Sequence, residues 1–162
     1  SNNRIPIEAQ ILCNGTELRF ERSEFYEGDR LYLRFLSSVS GYLCMYLVDK
    51  EPFAYCMLPY SSEKIGAQIV DANKEYLFFS SVADKKRIVD EYVMTCSHEG
   101  EINTLIIIYS PVEFSKPTDT EVAPGIRGLS YKDLQKWLIQ IQTRDDKVSV
   151  IRKEITLKKL RK

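Results

Sequence analysis

The sequence predicts a mainly β fold: an antiparallel β-sandwich, Ig-like or a related Greek key, with one C-terminal amphipathic helix packed on or beside a sheet. Three observations carry that expectation. Short apolar runs alternate with period two along most of the chain, Gly, Asn, Asp and Pro punctuate them, and a single apolar stripe of helical period stands near the C-terminus. At 162 residues the chain reads as one domain, 1–162, and a domain of this size buries about 70% of the surface its unfolded chain exposes.

The elements follow in order. Ile5, Ile7, Ala9, Ile11 and Cys13 alternate with Pro6, Glu8, Gln10 and Leu12, the period of two that marks a strand. Asn14-Gly15 is a hairpin signal, and residues 16–21 can return as a second strand with Leu18 and Phe20 on one face. The unbroken run 28–60 reads as three strands of a meander. Leu31, Leu33 and Phe35 form an inner face opposite Tyr32 and Arg34, and the turn 37–41 leads into a strand over 42–48. That strand is apolar on both faces and therefore central. The turn 49–52 leads to a third strand over 53–58, ended by Pro59, which cannot donate to a ladder.

Residues 67–70 and 75–80 read as one further strand pair, and 88–96 with 102–110 as another. The run Leu105-Ile106-Ile107-Ile108-Tyr109 again suits a buried central strand. The segment 111–128 has three prolines, mixed charge and no period, so it reads as a long loop. Loops longer than about 12–15 residues are uncommon in compact domains and are usually functional or disordered. A helix is expected over about 130–144, with Ser130 as N-cap, Asp133 three residues on, and Leu129 and Leu134 as a hydrophobic staple. Leu134, Trp137, Leu138 and Ile141 then make its apolar stripe. A closing strand over about 147–158 should carry an irregularity between Ile151 and Ile155.

Composition narrows the function classes. The hydrophobic fraction of 44% and charged fraction of 28% are those of an ordinary soluble domain. No apolar run approaches the roughly 20 residues of a membrane-spanning helix, so no membrane insertion of this segment is expected. A formal charge of zero argues against a general nucleic-acid binder. Charge is nonetheless uneven: residues 147–162 hold seven basic side chains against Glu154 alone, which leaves a net of minus six on the rest. The basic terminus reads as a solvated strand end, with an anionic partner as the sharper alternative. The chain opens on Ser1, as a processed fragment would, so any leader, anchor or adjoining domain would have been removed.

Cys13, Cys44, Cys56 and Cys96 are too widely spaced for a zinc or C-x-x-C pattern. Each sits in or beside an apolar strand, where a free thiol behaves as a small hydrophobe; the alternative is a disulfide, for which Cys44 and Cys56 on one hairpin are best placed. Recognisable catalytic signatures are few. His98, the single histidine, falls in a turn, with no G-x-S-x-G elbow to serve it. Ser61-Ser62-Glu63-Lys64 matches S-x-x-K without its partner motifs. Asp71 to Glu75 opens like a calcium loop but has Tyr76 where glycine is required. The seven glycines are scattered as turn punctuation, so no phosphate cradle, cofactor or metal site is expected. The ten tyrosines fit half-buried sheet positions, the sharper reading being a recognition surface of Tyr26, Tyr32, Tyr42, Tyr46, Tyr55 and Tyr60.

Gly28-Asp29 before a hydrophobic strand, Gly41-Tyr42-Leu43 running to Asp49, and Met57-Leu58-Pro59 together resemble bacterial domain-of-unknown-function family 4384. The run 104–110, the Pro111-Val112-Glu113-Phe114 segment and the helical Trp137-Leu138 are similar to that family's second half, so the resemblance covers roughly 23–157. Glu51-Pro52 stands where an Asp-Gly type of turn is usual, and Leu58 where an aromatic precedes the proline. The resemblance implies a non-catalytic accessory module of a larger or exported bacterial protein, placed in the periplasm or at the cell surface; it carries no site residues.

The expected function is therefore a monomeric interaction module for a protein, peptide or glycan, working through loops and an edge strand. Tyr60, Phe114, Lys116, Thr118, Ile126 and Arg127 are the candidate contacts, and part of 111–128 should be removable without loss of the fold. Two competing readings stand beside it. One is a hydrolase built around His98 with Glu99 and Glu101, which needs a concave pocket at that turn. The other is a purely structural support domain, which needs an exposed apolar patch.

Overall fold

Alternation along β3 (Arg30–Ser37) puts Leu31, Leu33 and Phe35 on one side, and that side is fully buried. It forms the centre of a small sheet, with β1 (Ile7–Cys13) antiparallel on one flank and the short β7 (Tyr76–Phe78) and β8 (Tyr92–Val93) on the other. The second sheet has eight strands and runs β10 (Thr120–Ala123), β11 (Ile126–Ser130), β5 (Phe53–Leu58), β4 (Gly41–Val48), β9 (Glu101–Ser110), β12 (Ser149–Lys158), β2 (Glu24–Tyr26). β6 (Gln68–Val70) pairs the first residues of β4. The structure, a computed structural model, describes residues 5–14, 20–50, 52–144 and 147–159.

The fold is a sheet-on-sheet sandwich with α1 (Tyr131–Arg144) laid over the outer face of the larger sheet. β4 and β9 lie side by side at its middle and are buried on both faces, as their continuous apolar runs predict. Their odd-numbered residues Leu43, Met45, Leu105 and Ile107 meet Ile11, Leu33 and Phe35 of the small sheet. Their even-numbered residues Cys44, Tyr46, Ile106 and Ile108 meet Leu134, Trp137, Leu138 and Ile141 of the helix. Each large side chain so buried stabilises by ~1.5–3 kcal/mol. The Asp133 N–H donates to Ser130 Oγ at 3.1 Å, the expected cap, and Leu129 and Leu134 are buried in one cluster.

Several pairings depart from the sequence reading for one reason: turn residues mark where a chain reverses, not which sheet it enters next. β3 and β4 are not neighbours in a meander. The 37–41 turn, closed by the Val39 N–H donating to Ser37 Oγ, carries the chain from one sheet to the other. β6 and β7 likewise belong to opposite sheets, across a turn in which Asn73 takes a positive φ of 59°. The 88–96 segment contributes only Tyr92–Val93, paired to β3 and not to β9. One strand pair is parallel, β12 with β2. β12 runs in unbroken register from Ser149 opposite Tyr109 to Leu157 opposite Glu101, without the expected irregularity.

The segment 111–128 is not a free loop. Its second half is a hairpin, β10 and β11, turning over Gly125 at φ 73° and pairing through β11 with β5. Its first half is tied to the helix by Trp137, whose Nε1 donates to the Ser115 carbonyl at 2.8 Å while its ring meets Phe114 edge-on. Removing residues from β11 would strip pairing from the sheet, so the expectation of a removable loop is withdrawn for that half. The returning strand over 16–21 falls largely outside the described residues. Within them, Glu21 accepts from the Ile11 N–H and the Arg22 N–H donates to the Ile11 carbonyl. All four cysteines are buried free thiols, so Cys44 and Cys56 do not form the alternative disulfide.

Candidate functional site

Two polar clusters stand out, and they differ in how fully their groups are paired. The first lies under the 111–128 segment. Asp119, whose side chain is 9% exposed, accepts from the Tyr46 hydroxyl at 2.7 Å and from Lys116 Nζ at 2.8 Å, with Arg127 at 3.6 Å. Arg127 also donates to Cys56 Sγ at 3.1 Å and to the Pro59 carbonyl. Lys116 lies over the Tyr46 ring, 5.6 Å from its centroid. Burial holds the Cys44 thiol well above its ordinary value, and it pushes Cys56 up to about 12, with Asp119 adding to the effect and Arg127 opposing it. The Tyr46 hydroxyl is driven upward chiefly by burial, so it stays protonated and donates. This arrangement fastens 116–127 to the sheet; protonated, enclosed thiols are poor nucleophiles.

The second cluster is an inter-sheet groove of about 590 Å³, at the end of the sandwich where the small sheet dwindles to β8. β5 and β11 supply Tyr55, Met57 and Ile126, the 89–95 segment supplies Asp90, Glu91 and Tyr92, and β9 supplies Asn103. Asn103 shares the inward parity of Leu105 and Ile107, and its Oδ1 is buried without a hydrogen-bond partner among the described residues. Asp90 accepts from the Ser61 N–H and Ser61 Oγ, both at 2.7 Å. Burial, reinforced by the Asp90 charge, raises the Tyr92 hydroxyl above its ordinary value.

The candidate contacts are scattered among these features. Ile126 and Arg127 line the groove. Lys116 belongs to the Asp119 cluster, and Phe114 packs on Trp137. Thr118 is exposed, its neighbour Asp119 being the residue that organises the segment. Tyr60 is a core residue: its Oη accepts the Phe79 N–H at 2.9 Å, Arg87 stacks on its ring, and burial pushes its hydroxyl up to about 12. The six tyrosines do not form one surface. Tyr32 and Tyr60 are buried, Tyr46 faces the helix, and Tyr55 lines the groove.

His98 stands exposed on its turn, where Glu99 accepts the Lys159 N–H and Glu101 the Ser97 N–H. Among the described residues no group of His, Cys, Asp and Glu could hold a metal ion, and no helix is long and apolar enough to cross a membrane. Asn103 and Asp119 escaped the sequence reading. Asn103 carried one signal, a polar residue at an inward position of an apolar strand; Asp119 carried none, lying in an aperiodic stretch.

No protein-family model, curated protein or solved structure matches the chain. The likeness to family 4384 therefore stands on the quoted residues alone.

Proposed function

We propose that this chain is a non-catalytic interaction module, the accessory role its family resemblance implies, and that it takes a segment of a partner protein into the inter-sheet groove. One observation carries the reading: the groove holds a buried carboxamide oxygen with no partner among the described residues, whereas the acids and bases of the Asp119 cluster are bonded to one another. A buried acceptor left unpaired costs about 1–3 kcal/mol, a cost that a partner's donor would remove. The groove's size falls within the ~300–1,000 Å³ usual for binding clefts, and its mixed apolar, aromatic and polar lining is of the usual kind.

Selection of a random peptide library on the immobilised chain tests the reading. Binders should lose affinity for Ile126→Lys, which crowds and charges the groove, and keep it for Thr118→Ala, which lies outside. A selection that yields only binders indifferent to Ile126→Lys overturns the assignment.

A further inference from the structure

Three features of the groove agree on the chemistry of what enters it. The first is the Asn103 Oδ1 acceptor, which calls for an N–H donor. The second is charge. Asp49, Asp90 and Glu91 line the groove against Arg127, whose guanidinium is turned to Cys56, Pro59 and Asp119. Glu91 is paired with Arg30 at 2.9 Å, but Asp90 is met by the neutral Ser61 donors, which leaves its charge uncompensated by them. Tyr55 and Tyr92 add aromatic walls, and ring faces attract cations.

The third feature is an open strand edge. Arg30 directs its N–H and C=O toward Asn14, so its pairing with Val93 carries no ladder bonds. Met94 instead exchanges bonds with Gly28 and Asp29. By the alternation of an antiparallel ladder, the Val93 N–H and C=O point away from β3, at the rim of the groove. Such an edge accepts a backbone in extended conformation.

Resting on the reading of the groove as a partner site, we propose that it binds an extended segment of a protein through one lysine or arginine side chain. The partner's backbone bridges Val93. The side chain's aliphatic stem lies on Leu47 and Met57, its cationic head donates to Asn103 Oδ1, and the Asp90 carboxylate in the same groove attracts its charge.

Titration of blocked pentapeptides, Thr-Val-X-Val-Thr with X as Lys, Arg or norleucine, followed by amide NMR, tests this. The Lys and Arg peptides should shift the Val93 backbone and Asn103 side-chain signals and bind at least about ten-fold more tightly than norleucine, the worth of one charge-assisted hydrogen bond. Asn103→Leu and Asp90→Asn, the latter keeping an acceptor for Ser61, should each weaken the Lys peptide by a similar factor. Equal binding of the norleucine peptide overturns the cationic head while leaving the groove as a peptide site. N-acetyl-lysine methylamide binding as tightly as the pentapeptide overturns the extended chain. Failure of all three peptides overturns this proposal even where library binders sensitive to Ile126→Lys sustain the broader one.

Discussion

Replacing Asp119 by alanine should cost far more than its place in an irregular segment implies. The substitution removes the counter-charge of Lys116, whose side chain is 5% exposed and keeps the Pro117 carbonyl at 3.0 Å and the face of the Tyr46 ring, and it orphans the Tyr46 hydroxyl. Removing one partner of a buried pair destabilises by about 3–5 kcal/mol, a large share of the ~5–15 kcal/mol that holds a domain together. For a chain of this size that corresponds to a fall in Tm of about 6–20 °C. Urea unfolding followed by circular dichroism measures it. Asp119→Asn, which keeps an acceptor for Tyr46 and loses the charge, should fall between wild type and alanine. The double variant Lys116→Met/Asp119→Leu should recover the share of the loss that comes from the stranded ammonium, because an apolar pair needs no desolvation, and leave the share that comes from the Tyr46 hydroxyl. A loss below about 1 kcal/mol for the alanine variant would refute the reasoning, since that is what a solvent-screened surface pair is worth.

Stability should fall on the alkaline side. Cys56 rises from 9.0 to about 12 in the fold, so its contribution is intact below pH 9 and disappears as pH climbs from 9 to 12, by at most about 4 kcal/mol; Cys56→Ala should flatten that slope in urea titrations at stepped pH. Iodoacetamide should leave Cys44 and Cys56 unlabelled in the native protein and modify both in urea, and an intact mass two units low would instead reveal a disulfide. Gly128→Ala should destabilise by about 1–3 kcal/mol, because its Cβ would overlap the Ala54 carbonyl across the β11–β5 ladder; Gly66→Ala, with open space at that position, is the control. Asn103→Leu should stabilise by about 1–3 kcal/mol in the same denaturation assay, by removing a buried oxygen that has no partner among the described residues.

Local patterns were legible in the chain; among the pairings the β4–β5 hairpin across 49–52 was read correctly and the others among the described residues were not. The double-sided run 42–48 and the Leu105 to Tyr109 run announced two central strands, and they lie together in the middle of the larger sheet. Ser130, Leu129 and the stripe through Ile141 announced the helix and the face it buries. Sheet membership failed at 37–41 and 71–74, because a turn between stacked sheets uses the same Ser, Gly, Asn and Asp chemistry as a hairpin. The 120–130 hairpin was missed because its strands are short and β11 inverts the usual alternation, with Ile126 exposed and Arg127 turned toward Asp119. For the groove, Ile126 and Arg127 were found as neighbours in sequence; Tyr92 and Asn103, on other elements far along the chain, required the fold.

The two polar clusters separate structure from recognition by a single criterion. Asp119 sits within reach of a hydroxyl, an ammonium and a guanidinium supplied by the chain itself, so the cluster is closed, and its removal is expected to be felt in folding. Asn103 occupies a position where the parity of β9 would accept another Leu or Ile, yet it places an acceptor that no described neighbour meets. Folding alone favours an apolar side chain there. Keeping the amide in a groove whose lining also includes Asp90 and Val93 makes physical sense when a donor arrives from another molecule. Stability and binding should accordingly move in opposite directions at Asn103 and together at Asp119, where loosening 116–127 also releases Arg127 from the groove wall.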